Sequence, residues 1–445
     1  MWATQLPEAS YLTRMSDGTV KQINPFTGSD VWTVPGRGNR PLGIVRPERR
    51  PLAPGQHAVY CAFCSERYLE TPPEKARVVR EGESWRTLRR LPAEELFTTT
   101  AEFRRIPNLF EILSFDYWHQ NYGYEIPDDI RQRQAAYLST EAGLEHVCAV
   151  VKQRLTAGGM SEIEWEQMST ADKLERATGF FGGTHDVIVA RRHFVDDATH
   201  DHQLASSGTL TPEEHLAYIA FTVESMRSLY EANRYARYVS VFQNWLKPAG
   251  ASFDHLHKQL VAIDERGVQI ELELSRLRAN HNLFNEAAVN YAAYQNLIVA
   301  ENDHAVVFAG FGHRYPTLEI YSKSAAPEPW LHSAEELEAM SNLIHACHAA
   351  TGADVPSNEE WHHKPMDVDM PMPWRVMLKW RVSTLAGFEG GTKIYLNTID
   401  PWMLRDRVVP ELFRLRTEGR IAADTRIAIE CECRPNCLRY NPLLR

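Results

Sequence analysis

Twice along this chain a strand candidate leads into a capped helix and a further strand follows, and this recurrence constrains the fold more than any other feature. In the first occurrence Val187-Ile-Val-Ala190 is followed by Thr211-Pro-Glu-Glu214. Thr211 caps the helix, Pro212 takes its first turn and Glu214 completes a capping box. Leu216, Ile219, Ala220, Val223, Met226 and Leu229 then recur at helical spacing. Tyr238-Val-Ser-Val-Phe242 and Leu260-Val-Ala-Ile263 read as strands. In the second occurrence Ala305-Val-Val-Phe308 and Leu318-Glu-Ile-Tyr321 are strand candidates, and Ser333-Ala-Glu-Glu336 opens a helix ending near Gly352. Val376-Met-Leu378 and Lys393-Ile-Tyr-Leu396 follow as strands. The order predicts a tandem α+β repeat.

Between these segments the chain is less regular. The turn Asn24-Pro-Phe-Thr-Gly28 precedes a strand candidate at Val31-Trp-Thr-Val34, which ends at Gly36, Gly38 and Pro41. Residues 65–105 are rich in Glu and Arg and read as a solvated excursion. Residues 126–180 read as polar, amphipathic helices. The 445 residues carry a net charge of -10, which argues against a general nucleic-acid surface, because neutralising phosphates needs clustered Lys and Arg. Small phosphorylated ligands need only a few arginines. No signal peptide and no apolar run of about 20 residues is visible, so a cytoplasmic protein without a membrane span is expected. The seven cysteines are unevenly placed and read as reduced thiols.

Two clusters carry chemistry. Cys61-Ala-Phe-Cys64 has a spacing that lets two thiolates reach one zinc ion. Two ordinary, partly buried cysteines, or a redox pair, give the same pattern. His255-Leu-His257 puts two imidazoles on one face of an extended strand, so that one can bind a metal while the other faces a substrate. Ser252 and Gln259 flank them, and both can hydrogen-bond a phosphoryl oxygen. An imidazole attacking an α-phosphorus forms a phosphoramidate and splits one displacement into two. Cys431-Glu-Cys-Arg-Pro-Asn-Cys437 either binds metal or packs as an ordinary C-terminal segment.

Several segments, in order, resemble the galactose-1-phosphate uridylyltransferase branch of the histidine-triad superfamily, which includes diadenosine tetraphosphate and ADP-sugar phosphorylases. They are Asn24 to Pro41, with Arg37 and Arg40 at the family's arginine spacing; Cys61-Ala-Phe-Cys64; Ile106-Pro-Asn-Leu-Phe110; and Val241-Phe-Gln-Asn244 through Gln259. In the second half, Phe308 to Tyr321 and Thr384-Leu-Ala-Gly-Phe-Glu-Gly-Gly-Thr392 are also similar. Residues 65–105 and 111–180 match poorly and read as insertions. The resemblance implies an α+β fold of tandem histidine-triad-like repeats, each an antiparallel sheet with helices, plus helical insertions. Residues 1–280 would form the first half, with the zinc knuckle, a helical insertion at about 111–180 and the nucleophile. Residues 281–445 would form a second, degenerate half.

By the same resemblance His257 is the nucleophile, and Cys61, Cys64, His193 and His255 hold a structural zinc, with His200 or His202 as alternatives to His193. Gln259 and Ser252 would hold phosphate oxygens and Asn244 would steady their loop. Arg37 and Arg40 would neutralise phosphates, Asn108 would contact the nucleotide, and Glu389 would face the sugar or second substrate unless it only caps a turn. Leu256 departs from the family's usual proline. The region Trp374 to Arg381 lacks the family's second His-x-His, so no second-half iron site is expected, although His362 and Glu273 match its other ligands. The implied activity is transfer of a nucleotide between a nucleoside diphosphate sugar and a sugar 1-phosphate. A dinucleoside polyphosphate or nucleotide-sugar phosphorylase or hydrolase, and a non-catalytic nucleotide-binding protein, remain as alternatives. A homodimer is compatible with all three.

Overall fold

The computed structural model describes residues 10–36 and 49–444. Three N-terminal strands, β1 (Leu12–Arg14), β2 (Val20–Ile23) and β3 (Asp30–Thr33), form a small antiparallel sheet. The other strands in chain order are β4 (Ala76–Glu81), β5 (Ser84–Arg89), β6 (Phe103–Pro107), β7 (His185–Ala190), β8 (Tyr238–Trp245), β9 (His257–Ile263), β10 (Ile298–Glu301), β11 (Ala305–Ala309), β12 (Thr317–Ser322), β13 (Ser357–His362), β14 (Arg375–Trp380), β15 (Ile394–Asn397) and β16 (Arg426–Ile427). β15 joins the small sheet parallel to β3. The rest form a 12-stranded sheet in the order β16-β10-β11-β12-β14-β13-β8-β9-β7-β6-β4-β5.

The order is palindromic about its middle. β8 and β13 lie antiparallel, with Trp245 opposite Ser357 and Phe242 opposite Glu360. Outward from that joint run β8-β9-β7-β6 on one side and β13-β14-β12-β11 on the other. Each set contributes its two outer strands, then a helix, then its two inner strands. The helices are Pro212–Ala232 and Ala334–Thr351. Both begin with the capping boxes the sequence predicts, Thr211 with Glu214 and Ser333 with Glu336. Such an N-cap contributes about 1 kcal/mol. The two helices pack on one face of the sheet, and a continuous apolar core runs beneath them from Leu12 to Tyr440. The fold is α+β with antiparallel pairing in the large sheet, as expected.

Helices Phe115–Tyr122, Asp128–Leu138, Glu141–Ala157, Glu162–Gln167, Thr170–Glu175 and Thr178–Gly182 occupy the stretch read as a helical insertion. They build a small apolar cluster of their own around Tyr137, Val147, Val150, Val151, Phe180 and Phe181. The reading of residues 65–105 as a solvated excursion is corrected: they supply β4, β5 and β6, and β6 is wholly buried. Their charges misled because they neutralise one another inside. Glu74 accepts from Arg77 Nε at 2.5 Å and from Arg104 Nε at 2.6 Å, with all three side chains almost fully buried. Among the described residues, no helix is long and apolar enough to cross a membrane.

Candidate functional site

The site begins at the loop between β8 and β9. Leu246 adopts a left-handed φ of 66°, a short 3-10 turn covers Lys247–Ala249, and Gly250 follows at φ 91°. The chain then passes exposed Ser252 and reaches His255, which lies in a bend, while His257 opens β9. Leu256 between them is fully buried in the core, and its carbonyl accepts from Ala190 N–H at 3.0 Å. That packing and hydrogen bond fix the segment between the two histidines.

His255 donates Nε2–H to Ala190 O at 2.7 Å, which turns its Nδ1 lone pair the other way. There it meets Cys61 Sγ at 3.4 Å and Cys64 Sγ at 3.8 Å. His193, following β7, brings Nδ1 to 3.4 Å from Cys61 Sγ and 3.5 Å from Cys64 Sγ. The two sulfurs are 3.8 Å apart. Zinc bonds of about 2.3 Å to sulfur and about 2.0–2.1 Å to nitrogen put tetrahedral ligand atoms about 3.8 Å apart for two sulfurs, and about 3.5–3.6 Å for sulfur and nitrogen. The cluster therefore has the dimensions of a Cys2His2 zinc site, and among the described residues it is the one group of its kind. The contact between the two sulfurs sets their charges against each other, driving the Cys61 thiol up and the Cys64 thiol down. A cation bound by all four atoms relieves that conflict. His200 and His202 stay outside the cluster.

His257 is oriented by its own chain. Its Nδ1–H donates to His255 O at 2.7 Å, leaving Nε2 with the lone pair. Burial holds its pKa down at about 4, so the ring is neutral at physiological pH. The Phe63 ring, from within the cysteine knuckle, stands 5.4 Å from the His257 ring and 4.6 Å from Phe253. Phe63 also packs on Ile106, Val187 and Val189. The knuckle thus ties the metal cluster to a wall beside the imidazole.

Gln259, two residues along β9, shares the face of His257. It is paired across the sheet with Val187 and Phe242. Its Oε1 receives His185 Nε2 at 3.0 Å and Asn108 Nδ2 at 3.3 Å. Asn108 follows β6, where its Oδ1 accepts from Phe110 N–H at 2.9 Å. Asn244, at the far end of β8, receives Asn358 Nδ2 at 2.7 Å, and the same amide reaches Ala249 O at 2.8 Å. Asn358 belongs to β13, so the loop before the histidines is held from the second half.

Glu389 sits nearly buried on the short helix Gly387–Thr392 and accepts from Ala386 N–H at 3.1 Å. Among the described residues no hydrogen bond joins it to His257, Ser252 or Gln259, and the turn-capping alternative describes its contacts. Arg37 and Arg40 lie outside the described residues. Sequence reasoning missed His185, Phe63 and Asn358. The signal available for His185 was a histidine followed by an aspartate at the head of the apolar run Val187-Ile-Val-Ala190, and nothing local marked the other two.

The chain matches known proteins along most of its length. A family described as Domain of unknown function (DUF4921) matches residues 15–440. The chain belongs to that family. It is also 22% identical over 390 residues to an ADP-glucose phosphorylase of Arabidopsis thaliana, covering 85% of this chain and 89% of the relative. The crystal structure of an Arabidopsis thaliana ADP-glucose phosphorylase with bound ADP-glucose superposes with a TM-score of 0.57 at 18% identity, over 88% of this chain and 97% of that one. A galt-like protein from the same plant gives 0.54 at 18% identity, over 87% and 97%. The chain therefore shares the fold of these two proteins.

Proposed function

We propose that this protein transfers a nucleotide through a covalent nucleotidyl-His257 intermediate, from a nucleoside diphosphate sugar to a sugar 1-phosphate. The carrying observation is the orientation of His257: one ring nitrogen is committed to His255 O and the other keeps its lone pair at neutral pH. In the first half-reaction Nε2 attacks the α-phosphorus, the bond from phosphorus to the bridging oxygen breaks, and the sugar 1-phosphate leaves with that electron pair. In the second, an oxygen of the acceptor phosphate attacks the same phosphorus and the nitrogen–phosphorus bond breaks. Ser252 and the Gln259 amide hydrogen-bond the non-bridging oxygens as charge builds on them. Arg37 and Arg40 neutralise the phosphates, Asn244 steadies the loop, and Asn108 acts at the nucleotide side. Glu389, whose contacts are those of a turn cap, is assigned to the sugar or the second substrate, within a homodimer.

Zinc is the metal whose bond lengths fit the cluster of Cys61, Cys64, His193 and His255. When bound it supplies structural cross-linking, holding the knuckle, and with it Phe63, against the segment that carries His257. Replacing Cys61 by Ser should lower zinc content to well below one per chain and lower the thermal midpoint. Unchanged zinc content on elemental analysis overturns the metal assignment.

The similarity to ADP-glucose phosphorylase favours a second reading, in which inorganic phosphate is the acceptor and the covalent step is the same. The test uses ADP-glucose and UDP-glucose labelled in the nucleotide, without acceptor. Acid-labile label on the protein, absent from His257→Ala, is the expected result, and lack of label with both donors overturns the transferase reading. Discharge of the label by glucose 1-phosphate but not by inorganic phosphate supports the sugar-phosphate acceptor; the reverse establishes the phosphorylase.

A further inference from the structure

We propose that His185 is a positioning residue for nucleotidyl transfer, acting through Gln259; the inference rests on the transferase reading above. Ile112 N–H donates to His185 Nδ1 at 3.0 Å, so that nitrogen must carry a lone pair. In the neutral imidazole the proton then sits on Nε2. His185 is almost fully buried, and burial lowers its pKa, which keeps it neutral. Its Nε2–H therefore donates to Gln259 Oε1 at 3.0 Å.

The second lone pair of Gln259 Oε1 is taken by Asn108 Nδ2 at 3.3 Å. Asn108 cannot flip to compete, because its Oδ1 is engaged by Phe110 N–H. The 3.0 Å contact between Asn108 Nδ2 and His185 Nε2 is that of two donors converging on one acceptor. With both lone pairs of Oε1 occupied, the Gln259 amide has one orientation left. Its −NH2 points away from β7, and among the described residues it has no partner. A glutamine set this way offers only N–H to the site, the polarity that a phosphoryl oxygen gaining charge requires. Without His185 the amide can rotate and present its carbonyl oxygen, which repels the same charge.

The second half shows that the fold does not need this relay. By strand order β9, β7 and β6 correspond to β14, β12 and β11. His185 opens β7, where Thr317 opens β12. Gln259 stands two residues into β9, where Met377 stands two residues into β14, and Gly310 follows β11 where Asn108 follows β6. The three members are present together in the half that holds His257 and missing together from the other.

The test is a double-mutant cycle on the rate of acid-labile labelling, comparing His185→Ala in the native chain with His185→Ala in Gln259→Ala. In the native chain the loss should be on the order of 10- to 100-fold. In Gln259→Ala it should shrink to less than about 2-fold, because the group through which His185 acts is gone. His185→Gln, whose amide nitrogen can stand where Nε2 stands, should recover much of the rate; His185→Asn, which keeps only the Ile112 contact, should not. Those two variants carry the cycle if His185→Ala does not fold. Equal losses in both Gln259 backgrounds, or equal rates for the Gln and Asn variants, overturn the positioning role while leaving the transferase reading intact. Absence of label on the unsubstituted protein overturns that reading and this inference with it.

Discussion

His257 and Arg375 open corresponding strands of the two halves, and the same architecture has put opposite chemistry at the two places. His257 is a neutral imidazole with one nitrogen left uncommitted, beside a loop that reaches solvent at Ser252. Arg375 is a fully buried cation paired with Glu273 and faced by the rings of Phe26, Phe284 and Tyr321, at 5.6, 4.8 and 5.9 Å from its guanidinium carbon. Glu273 is bonded to this guanidinium, and His362 is the cross-strand neighbour of Arg375. The second half serves the first, since Asn358 holds the loop before the histidines. Glu359 takes the ammonium of Lys258, the residue between His257 and Gln259, and His348 at 2.7 Å.

The sharpest way to break the contrast is to exchange its members. His257→Ala should abolish covalent labelling, while Arg375→Met leaves label on every molecule that remains folded; label surviving in His257→Ala would move the nucleophile elsewhere. The pH dependence comes next. Attack needs the unprotonated ring, so labelling should be flat across neutrality and fall about tenfold per pH unit only below about 4. A break near 6.5 in the pH–rate profile would mean that His257 is solvated rather than buried. The same depressed pKa makes the folded state bind fewer protons than the unfolded one between about 4 and 6.5, so stability rises with pH through that window.

Arg375→Met leaves Glu273 buried without its partner and should cost about 3–5 kcal/mol in denaturant unfolding, with much of the loss recovered by adding Glu273→Leu. If the single variant is as stable as the parent, the Arg375–Glu273 pair does not anchor the second half. The smallest effect is expected from Asn358→Ala, about 1–2 kcal/mol from the unpaired Asn244 and Ala249 acceptors. It should be accompanied by slower labelling although the substitution lies in the other half. Stability lost with an unchanged labelling rate would show that the second half supports the fold and not the site.

Much of this was legible in the chain because it depends on local rules. The helices at Pro212 and Ala334 announce themselves by Thr211 with Glu214 and Ser333 with Glu336, whose hydrogen bonds span only three residues. Apolar strands such as Ala305–Ala309 and Thr317–Ser322 are visible for a similar reason. β13 was not anticipated: Ser-Asn-Glu-Glu-Trp-His has no apolar run, and as a central strand it has Lys258, His348 and Lys379 neutralising Glu359 and Glu360. The Arg- and Glu-rich stretch carrying β4 to β6 was misread for the same cause, with Glu74 answering Arg77 and Arg104 in the interior.

Residue type and spacing by themselves determined which atoms this protein can bring to chemistry: two thiolates three residues apart, and two imidazoles separated by one residue. Only the tertiary structure decided that His193, from the segment after β7, completes the set, which nitrogen of each ring is free, and which way Gln259 turns. Those choices rest on hydrogen bonds between residues as far apart in sequence as His255 and Ala190 or His185 and Gln259. A ring or an amide has no preferred orientation until a partner fixed elsewhere in the fold takes one of its two faces.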